Sequence, residues 1–103
     1  MHNLFVYGTL RLNGRNNNIL IDQHNVGEGT TIDKYNLIIK ELPYLYKEPV
    51  DNVGGDVYII DDDMLSFLDV FEGHPHFYRR DKINVKVNNE AIECWCYFKI
   101  KGE

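Results

Sequence analysis

Residues 83–100 read INVKVNNEAIECWCYFKI, with apolar and polar side chains alternating on either side of an asparagine pair. Strict alternation is typical of strands, because successive side chains point to opposite faces of a sheet. Asparagine tolerates positive φ, so Asn88-Asn89 predicts a two-residue hairpin turn. We therefore expect two antiparallel strands, Ile83–Val87 and Ala91–Ile100. On the second strand, one face would carry Ile92, Cys94, Cys96 and Phe98, and the other would carry Trp95 and Tyr97.

The segment before this hairpin predicts the main helix of the chain. Three consecutive acidic residues, Asp61–Asp63, can cap its N-terminus and suit the positive end of the helix dipole. Gly73 and Pro75 are expected to end it. Apolar residues recur at helical spacing and predict one buried face, formed by Met64, Leu65, Phe67, Leu68 and Phe71. Of these, Leu65, Leu68 and Phe71 should pack inward.

Short apolar runs bounded by glycines predict further strands. Asn3–Tyr7 should be a buried strand ended by Gly8, and Asp56–Ile60 a central strand. Thr30–Lys40 predicts another, preceded by a break at Gly27-Glu28-Gly29.

Two segments are less defined by their sequence. Pro43 and Pro49 argue against a long helix between them, and Ile19–Ile21 fits either a short strand or a helical turn. Together these patterns predict a single α+β domain over residues 1–103. We expect a small mixed or antiparallel sheet, curled like a β-barrel, with one main helix.

The charge balance bears on possible partners. The 11 basic and 16 acidic residues give a formal charge of −5, which argues against nucleic acid as a partner. No stretch approaches the roughly 20 apolar residues of a membrane span, and the N-terminus lacks the pattern of a signal peptide. We expect a cytoplasmic protein in which Cys94 and Cys96 are reduced thiols.

Tyr7-Gly8-Thr9-Leu10 is the first candidate site. A buried strand that runs into Gly-Thr leaves successive backbone N–H groups without partners in a sheet, and such groups can bind an anion or a carbonyl oxygen. Glycines with a purely structural role are also common at the ends of strands. The residues alone leave both interpretations open.

Glu72 is the second candidate. It lies at the end of the predicted helix between Phe71 and Gly73, where the negative end of the helix dipole makes its charge unfavourable. Desolvation there would raise its pKa and suit it to general acid–base work. The alternative is an exposed glutamate at a helix end.

A metal site is a third possibility. His74 and His76 lie close to Glu72 in the sequence, but a metal would need further ligands from elsewhere. Cys94 and Cys96 are the soft candidates. Loop histidines are more often simply exposed, and we expect no metal.

Three motifs in order resemble those of the γ-glutamylcyclotransferase superfamily, also known as the AIG2-like domain. Phe5–Arg11 resembles its Tyr-Gly-[Ser/Thr]-Leu signature, Gly55–Ile60 with Met64–Glu72 its Gly-x-Val-Tyr strand and catalytic helix, and Pro75–Arg80 the Pro-x-x-Tyr-x-Arg that follows. Leu42–Leu45 and Phe67–Glu72 are most similar to the γ-glutamylamine cyclotransferases. The resemblance runs from residue 4 to about residue 98.

The resemblance implies an enzyme that releases an amine from a γ-glutamyl amide and closes the glutamyl part into 5-oxoproline. It implies Glu72 as the acid/base, the backbone of Gly8, Thr9 and Leu10 as the holder of the substrate, and no cofactor. Candidate walls of the pocket are Tyr7, Tyr78 and Tyr97. The leaving amine and the oligomeric state stay open, and a non-enzymatic small-molecule-binding module on the same fold is the alternative function.

Overall fold

A computed structural model of the chain describes residues 1–101. It contains one α-helix, α1 (Asp62–Glu72), and a 3₁₀ turn over Asn17–Leu20. The strands, in chain order, are β1 (His2–Val6), β2 (His24–Thr31), β3 (Tyr35–Ile39), β4 (Pro43–Asp51), β5 (Gly54–Ile60), β6 (Tyr78–Val87) and β7 (Glu90–Lys99). Within residues 1–101, no helix has the length and apolar character needed to cross a bilayer.

Five of the strands form a closed barrel in the order β1-β5-β2-β6-β7. The barrel closes where β7 returns to β1 in a parallel pair at Leu4 and Trp95, while the other pairs are antiparallel. β3 and β4 form a separate two-stranded sheet. The predicted α+β class, with a barrel-like mixed sheet and one main helix, is confirmed.

The hairpin of β6 and β7 forms as predicted. Asn88 and Asn89 adopt φ values of 50° and 67°, the left-handed turn that a two-residue connection requires. On β6, Ile83, Val85 and Val87 are buried and the residues between them are exposed. On β7, Cys94, Cys96 and Phe98 are buried on one face, and Tyr97 is buried on the other.

The ends of the helix are also as expected. The Asp61 carboxylate accepts a hydrogen bond from the backbone N–H of Met64 at 2.7 Å, and Gly73 ends the helix in the left-handed conformation with φ 68°. Leu65 and Leu68 are buried.

The predicted apolar face of the helix is partly wrong, because Phe67 and Phe71 are 52% and 43% exposed. At 100° per residue, positions 65, 68, 69 and 72 share one stripe, and positions 67 and 71 fall well outside it. The two phenylalanine rings stack on each other instead, with their centroids 6.2 Å apart. The same periodicity places Glu72 on the stripe that faces the barrel.

The segment from residue 19 to residue 40 differs most from the sequence-based expectation. Gly27-Glu28-Gly29 lies inside β2 rather than in a break, and the predicted strand Thr30–Lys40 is divided between β2 and β3. A Cβ on Gly29 would lie 2.7 Å from Cγ1 of Val85, so glycine is required here by packing between strands. Ile19 and Leu20 belong to the 3₁₀ turn.

The segment that contains Pro43 and Pro49 is strand β4. It pairs only with β3 among the described strands, and proline is tolerated on such an edge strand. Its first residues, together with Leu42, lie against the end of β1 and form one side of the cavity described next.

Candidate active site

A cavity of about 210 Å³ lies between the end of β1, the end of α1, strand β7 and the start of β4. All seven residues that the sequence predicted for the site line it. The complete lining is Phe5, Val6, Tyr7, Gly8, Thr9, Leu10, Asn16, Leu42, Pro43, Phe71, Glu72, Tyr78 and Tyr97. Glu72 is the one side chain with a formal charge among these residues, so the cavity combines apolar walls with a single carboxyl.

The turn after β1 presents backbone donors. The carbonyl of Gly8 accepts a hydrogen bond from the N–H of Arg11 at 3.0 Å, which closes a β-turn over residues 8–11. Among the hydrogen bonds of residues 1–101, none is donated by the backbone N–H of Gly8, Thr9 or Leu10. Three successive donors thus remain available to a ligand, as the sequence pattern suggested.

Side chains from outside the turn hold it in place. Asn16 binds Thr9 twice, because its backbone N–H donates to the Thr9 carbonyl and its side-chain amide donates to Thr9 Oγ1, each at 2.9 Å. The buried carboxylate of Asp56, on β5, accepts hydrogen bonds from the Arg11 guanidinium at 3.3 and 3.4 Å and from the N–H of Leu12 at 2.8 Å. The turn is therefore a fixed part of the barrel end.

Glu72 has a half-buried carboxyl without a counter-ion in the part of the chain that the structure describes. Burial raises the pKa of Glu72 to about 7. Removing a carboxylate from water disfavours its charged form, and no nearby cation offsets this effect. A carboxyl with such a pKa can both accept and donate a proton at neutral pH.

A hydrogen-bonded chain fixes the tyrosine walls. The Tyr97 hydroxyl donates to Asp69 Oδ1 at 2.7 Å, and the Arg80 guanidinium donates to both oxygens of Asp69 at 2.7 and 3.1 Å. The Tyr7 hydroxyl donates to the backbone carbonyl of Tyr97 at 2.5 Å. Helix α1 is thereby joined to β6 and β7, and β7 to the end of β1.

The same contacts determine how these groups titrate. Burial acts to raise the pKa of Asp69, but the hydrogen bonds from Arg80 and Tyr97 outweigh it and hold that pKa below its usual value. Burial, reinforced by the hydrogen bond to Asp69, raises the pKa of Tyr97, and burial raises the pKa of Tyr78 to about 12. The tyrosines are therefore neutral at physiological pH, and Glu72 is the group in the cavity that titrates near neutrality.

The proposed metal ligands are not brought together. Within residues 1–101, no three His, Cys, Asp or Glu side chains are grouped as a metal site would require. Cys94 and Cys96 are buried in the core. His74 Nδ1 accepts a hydrogen bond from the backbone N–H of Arg80 at 3.2 Å, so the imidazole stabilises the loop between α1 and β6.

Several residues of the site were not identified from the sequence. Asn16 lies in the asparagine-rich loop, and nothing in that loop distinguishes it from Asn17 or Asn18. Phe71 was expected in the core. Asp69 and Arg80 lie in the motifs quoted above, but no role was assigned to them; Asp69 shares the helical stripe of Glu72, and Arg80 lies opposite Tyr97 in the hairpin of β6 and β7.

Comparison with known proteins identifies the family to which the chain is similar. Residues 4–103 match the family described as gamma-glutamyl cyclotransferase, AIG2-like. A putative gamma-glutamylcyclotransferase from Methanocaldococcus jannaschii is 36% identical over 101 residues, which cover 95% of this chain and 84% of that protein. The gamma-glutamylaminecyclotransferase of Rattus norvegicus is 33% identical over 94% of this chain and 77% of its own length.

A solved structure shares the fold closely. The crystal structure of an AIG2-like protein from Mus musculus superposes with a TM-score of 0.91 at 31% identity, covering 96% of this chain and 77% of that one. The relatives and the family model span nearly the whole sequence, including both the turn after β1 and the end of α1. The chain therefore belongs to the gamma-glutamyl cyclotransferase, AIG2-like family and is an enzyme of the cyclotransferase type.

Proposed function

We propose that this enzyme releases an amine from a γ-glutamylamine and closes the glutamyl part into 5-oxoproline. The observation that carries the proposal is the presence, in one cavity, of a carboxyl with a pKa of about 7 and a turn with three free backbone donors. The α-amine of the substrate attacks its own δ-carbonyl carbon, a C–N bond forms in the ring, and the C–N bond to the leaving amine breaks. The atoms of the γ-glutamylamine equal those of 5-oxoproline and the free amine, so no water molecule is consumed.

Glu72 would move the proton that this reaction requires. The α-amine is protonated at neutral pH, so a base must first take a proton, and the leaving nitrogen must later receive one. A single carboxyl that titrates near pH 7 serves both steps, because neither of its protonation states is strongly disfavoured at that pH.

The turn after β1 would hold the α-carboxylate of the substrate. No cationic side chain lines the cavity, so backbone N–H groups are the available partners for a carboxylate there. Gly8, Thr9 and Leu10 supply three of them. Holding the glutamyl chain in a folded conformer favours five-membered ring closure, since the reacting groups are then already close together.

The apolar rim of the cavity favours a γ-glutamylamine over a γ-glutamyl amino acid, in which the leaving nitrogen is the α-amine of the amino acid. Leu42 and Phe71 line the cavity and are each about two-fifths exposed, at 39% and 43%, which places them at its mouth. A methylene chain on the leaving nitrogen, as in γ-glutamyl-ε-lysine, would pack against them. A carboxylate next to that nitrogen would instead lie near Glu72 and be repelled by its charged form.

The proposal is tested by incubating the protein with a panel of γ-glutamylamines and γ-glutamyl amino acids and measuring 5-oxoproline by mass spectrometry. Glu72→Gln should reduce kcat by about 10²- to 10⁴-fold, toward the upper end because one group serves two steps. Glu90→Gln, at the exposed β6–β7 turn, is the matched control. Substrate binding without turnover by the wild type would favour a non-enzymatic binding module instead. We expect the enzyme to act in the cytoplasm, where Cys94 and Cys96 stay reduced.

A further inference from the structure

Lys99 lies beside the cavity without being part of its lining. It is half-buried on β7, two residues after Tyr97 and directly opposite Tyr78 on β6, so all three side chains project from the same face of the hairpin. Tyr78 and Tyr97 both line the cavity. Lys99 is therefore the next side chain outward from two walls of the site.

Three aromatic rings surround the ammonium group of Lys99. Its Nζ lies 5.7 Å from the ring centroid of Tyr78, 5.9 Å from that of Phe77 and 6.0 Å from that of Tyr44. Cation–π attraction of this kind restricts a flexible ammonium to one region. This attraction leaves the three N–H donors of the Lys99 ammonium without strong acceptors, because ring faces accept hydrogen bonds only weakly.

Two other cations on this face of β6 and β7, Arg80 and Lys82, already have anionic partners. Arg80 is bound to Asp69 at 2.7 Å, and Lys82 lies 3.8 Å from Glu93. Lys99 forms no ion pair with any carboxylate in residues 1–101. A half-buried lysine whose ammonium has unused donors beside a substrate cavity is suited to bind an anion of the substrate.

We propose that Lys99 binds a carboxylate carried at the far end of the leaving amine. The inference rests on the proposed function and makes it more specific, because it assigns γ-glutamyl conjugates of ω-amino acids as preferred substrates. The glutamyl part would occupy the turn after β1 with its amide beside Glu72. The methylene chain would then pass over the Tyr78 ring, and the terminal carboxylate would reach Lys99.

Charge placement selects this class over related amines. A carboxylate adjacent to the leaving nitrogen would lie close to Glu72 and far from Lys99. When several methylenes separate the carboxylate from that nitrogen, it lies away from Glu72 and can reach the ammonium of Lys99. A plain alkylamine gains the apolar contacts alone. An ammonium in place of the terminal carboxylate would be repelled by Lys99 and weaken binding.

The experiment compares two substrates of equal chain length, γ-glutamyl-6-aminohexanoate and γ-glutamyl-hexylamine, with release of 5-oxoproline as the readout. For the wild type we expect the carboxylate conjugate to have a KM about tenfold lower. Lys99→Met, of similar length, should abolish this difference and leave kcat and the KM of the hexylamine conjugate within about twofold. Lys99→Arg should retain most of it. Lys86→Met, exposed on β6, is the control.

Ionic strength provides a second measurement that needs no variant. Added salt should raise the wild-type KM for the carboxylate conjugate and leave that for the hexylamine conjugate unchanged, because salt screens the charge pair alone. An unchanged KM ratio in Lys99→Met, or an equal rise for both substrates, would overturn the assignment of Lys99 while leaving the proposed function in place. Failure of the wild type to release 5-oxoproline from either conjugate would overturn the proposed function, and this inference with it.

Discussion

Gly8 is in such close contact with Pro43 that a Cβ on Gly8 would lie 2.5 Å from Cγ of the proline ring. The two residues belong to different sheets, since Gly8 follows β1 of the barrel and Pro43 begins β4 of the two-stranded sheet. Their contact fixes the distance between the turn that offers backbone donors and the opposite wall of the cavity. The glycine of the turn is therefore required by packing.

Gly8→Ala should displace Pro43 or the turn. Overpacking of this kind costs about 1–3 kcal/mol of unfolding free energy, and a shift of the turn should lower kcat/KM by at least about tenfold. Gly54→Ala is the matched control, because nothing lies within 4 Å of a Cβ at that position. Thermal melts and steady-state kinetics of both variants test the prediction, which is wrong if the two behave alike.

Glu72→Gln should stabilise the protein in a pH-dependent way. The folded protein binds the Glu72 proton more tightly than the unfolded chain, because burial raises the pKa from 4.5 to about 7. The unfolding free energy of the wild type should thus fall as pH rises through this window, by at most about 3 kcal/mol. Glu72→Gln lacks this loss. Its unfolding free energy should therefore exceed that of the wild type by the full amount above pH 7, and the two should be equal below pH 4.5. Denaturant melts at pH 4.5, 6 and 8 measure it, and a constant difference would contradict it.

The activity should depend on pH through the same group. If Glu72 acts first as a base, its ionised form is the reactive one in the free enzyme, and kcat/KM should rise with pH through about 7. The residual activity of Glu72→Gln should lack this rise. A pH profile of kcat/KM for both proteins on one γ-glutamylamine provides the test. An acid limb that persists unchanged in the variant would assign it to another group.

Asp69→Asn should lower the stability of the protein and leave the Tyr97 side chain, a wall of the cavity, less firmly held. The change removes the charge that two Arg80 nitrogens and the Tyr97 hydroxyl share, and leaves the partly buried guanidinium without a counter-ion. We expect a loss of about 2 kcal/mol in unfolding free energy together with a raised KM. Asp63→Asn, exposed in the first turn of the same helix, should change stability by about 0.5 kcal/mol or less. Equal melting temperatures for the two variants would disprove the role of Asp69.

The hairpin and the helix ends were predictable because their signals are local. Asn88-Asn89 specifies its own left-handed turn, and Asp61 and Gly73 specify the caps of α1 from their own backbone preferences. By contrast, Gly29 resembles a break, because its reason for being glycine lies on another strand, in the side chains of Val85 and Val87. No local pattern contains that information.

The candidate site was predictable in part for the same reason. The turn at Tyr7–Leu10 and the carboxyl of Glu72 belong to short motifs, and the structure brings them to one cavity. Asn16, Leu42 and Pro43 enter the cavity because the 3₁₀ turn and the β3–β4 sheet are folded against the barrel. Phe71 was misplaced because an apolar residue at helical spacing fits a core and a cavity rim equally well.

The parallel pair between β1 and β7 has a consequence for the order in which the site can form during synthesis. The turn that follows β1 is made before the strands that flank β1, since β1 is held on one side by β5 and on the other by β7, whose last residue is Lys99. Tyr7 and Tyr97, which join across 90 positions, cannot meet before β7 has left the ribosome. Contacts between such distant positions make folding slow relative to local hairpins. A nascent chain would therefore lack the contact between Tyr7 and Tyr97 until β7 is made, and the cavity could be completed only when the barrel closes.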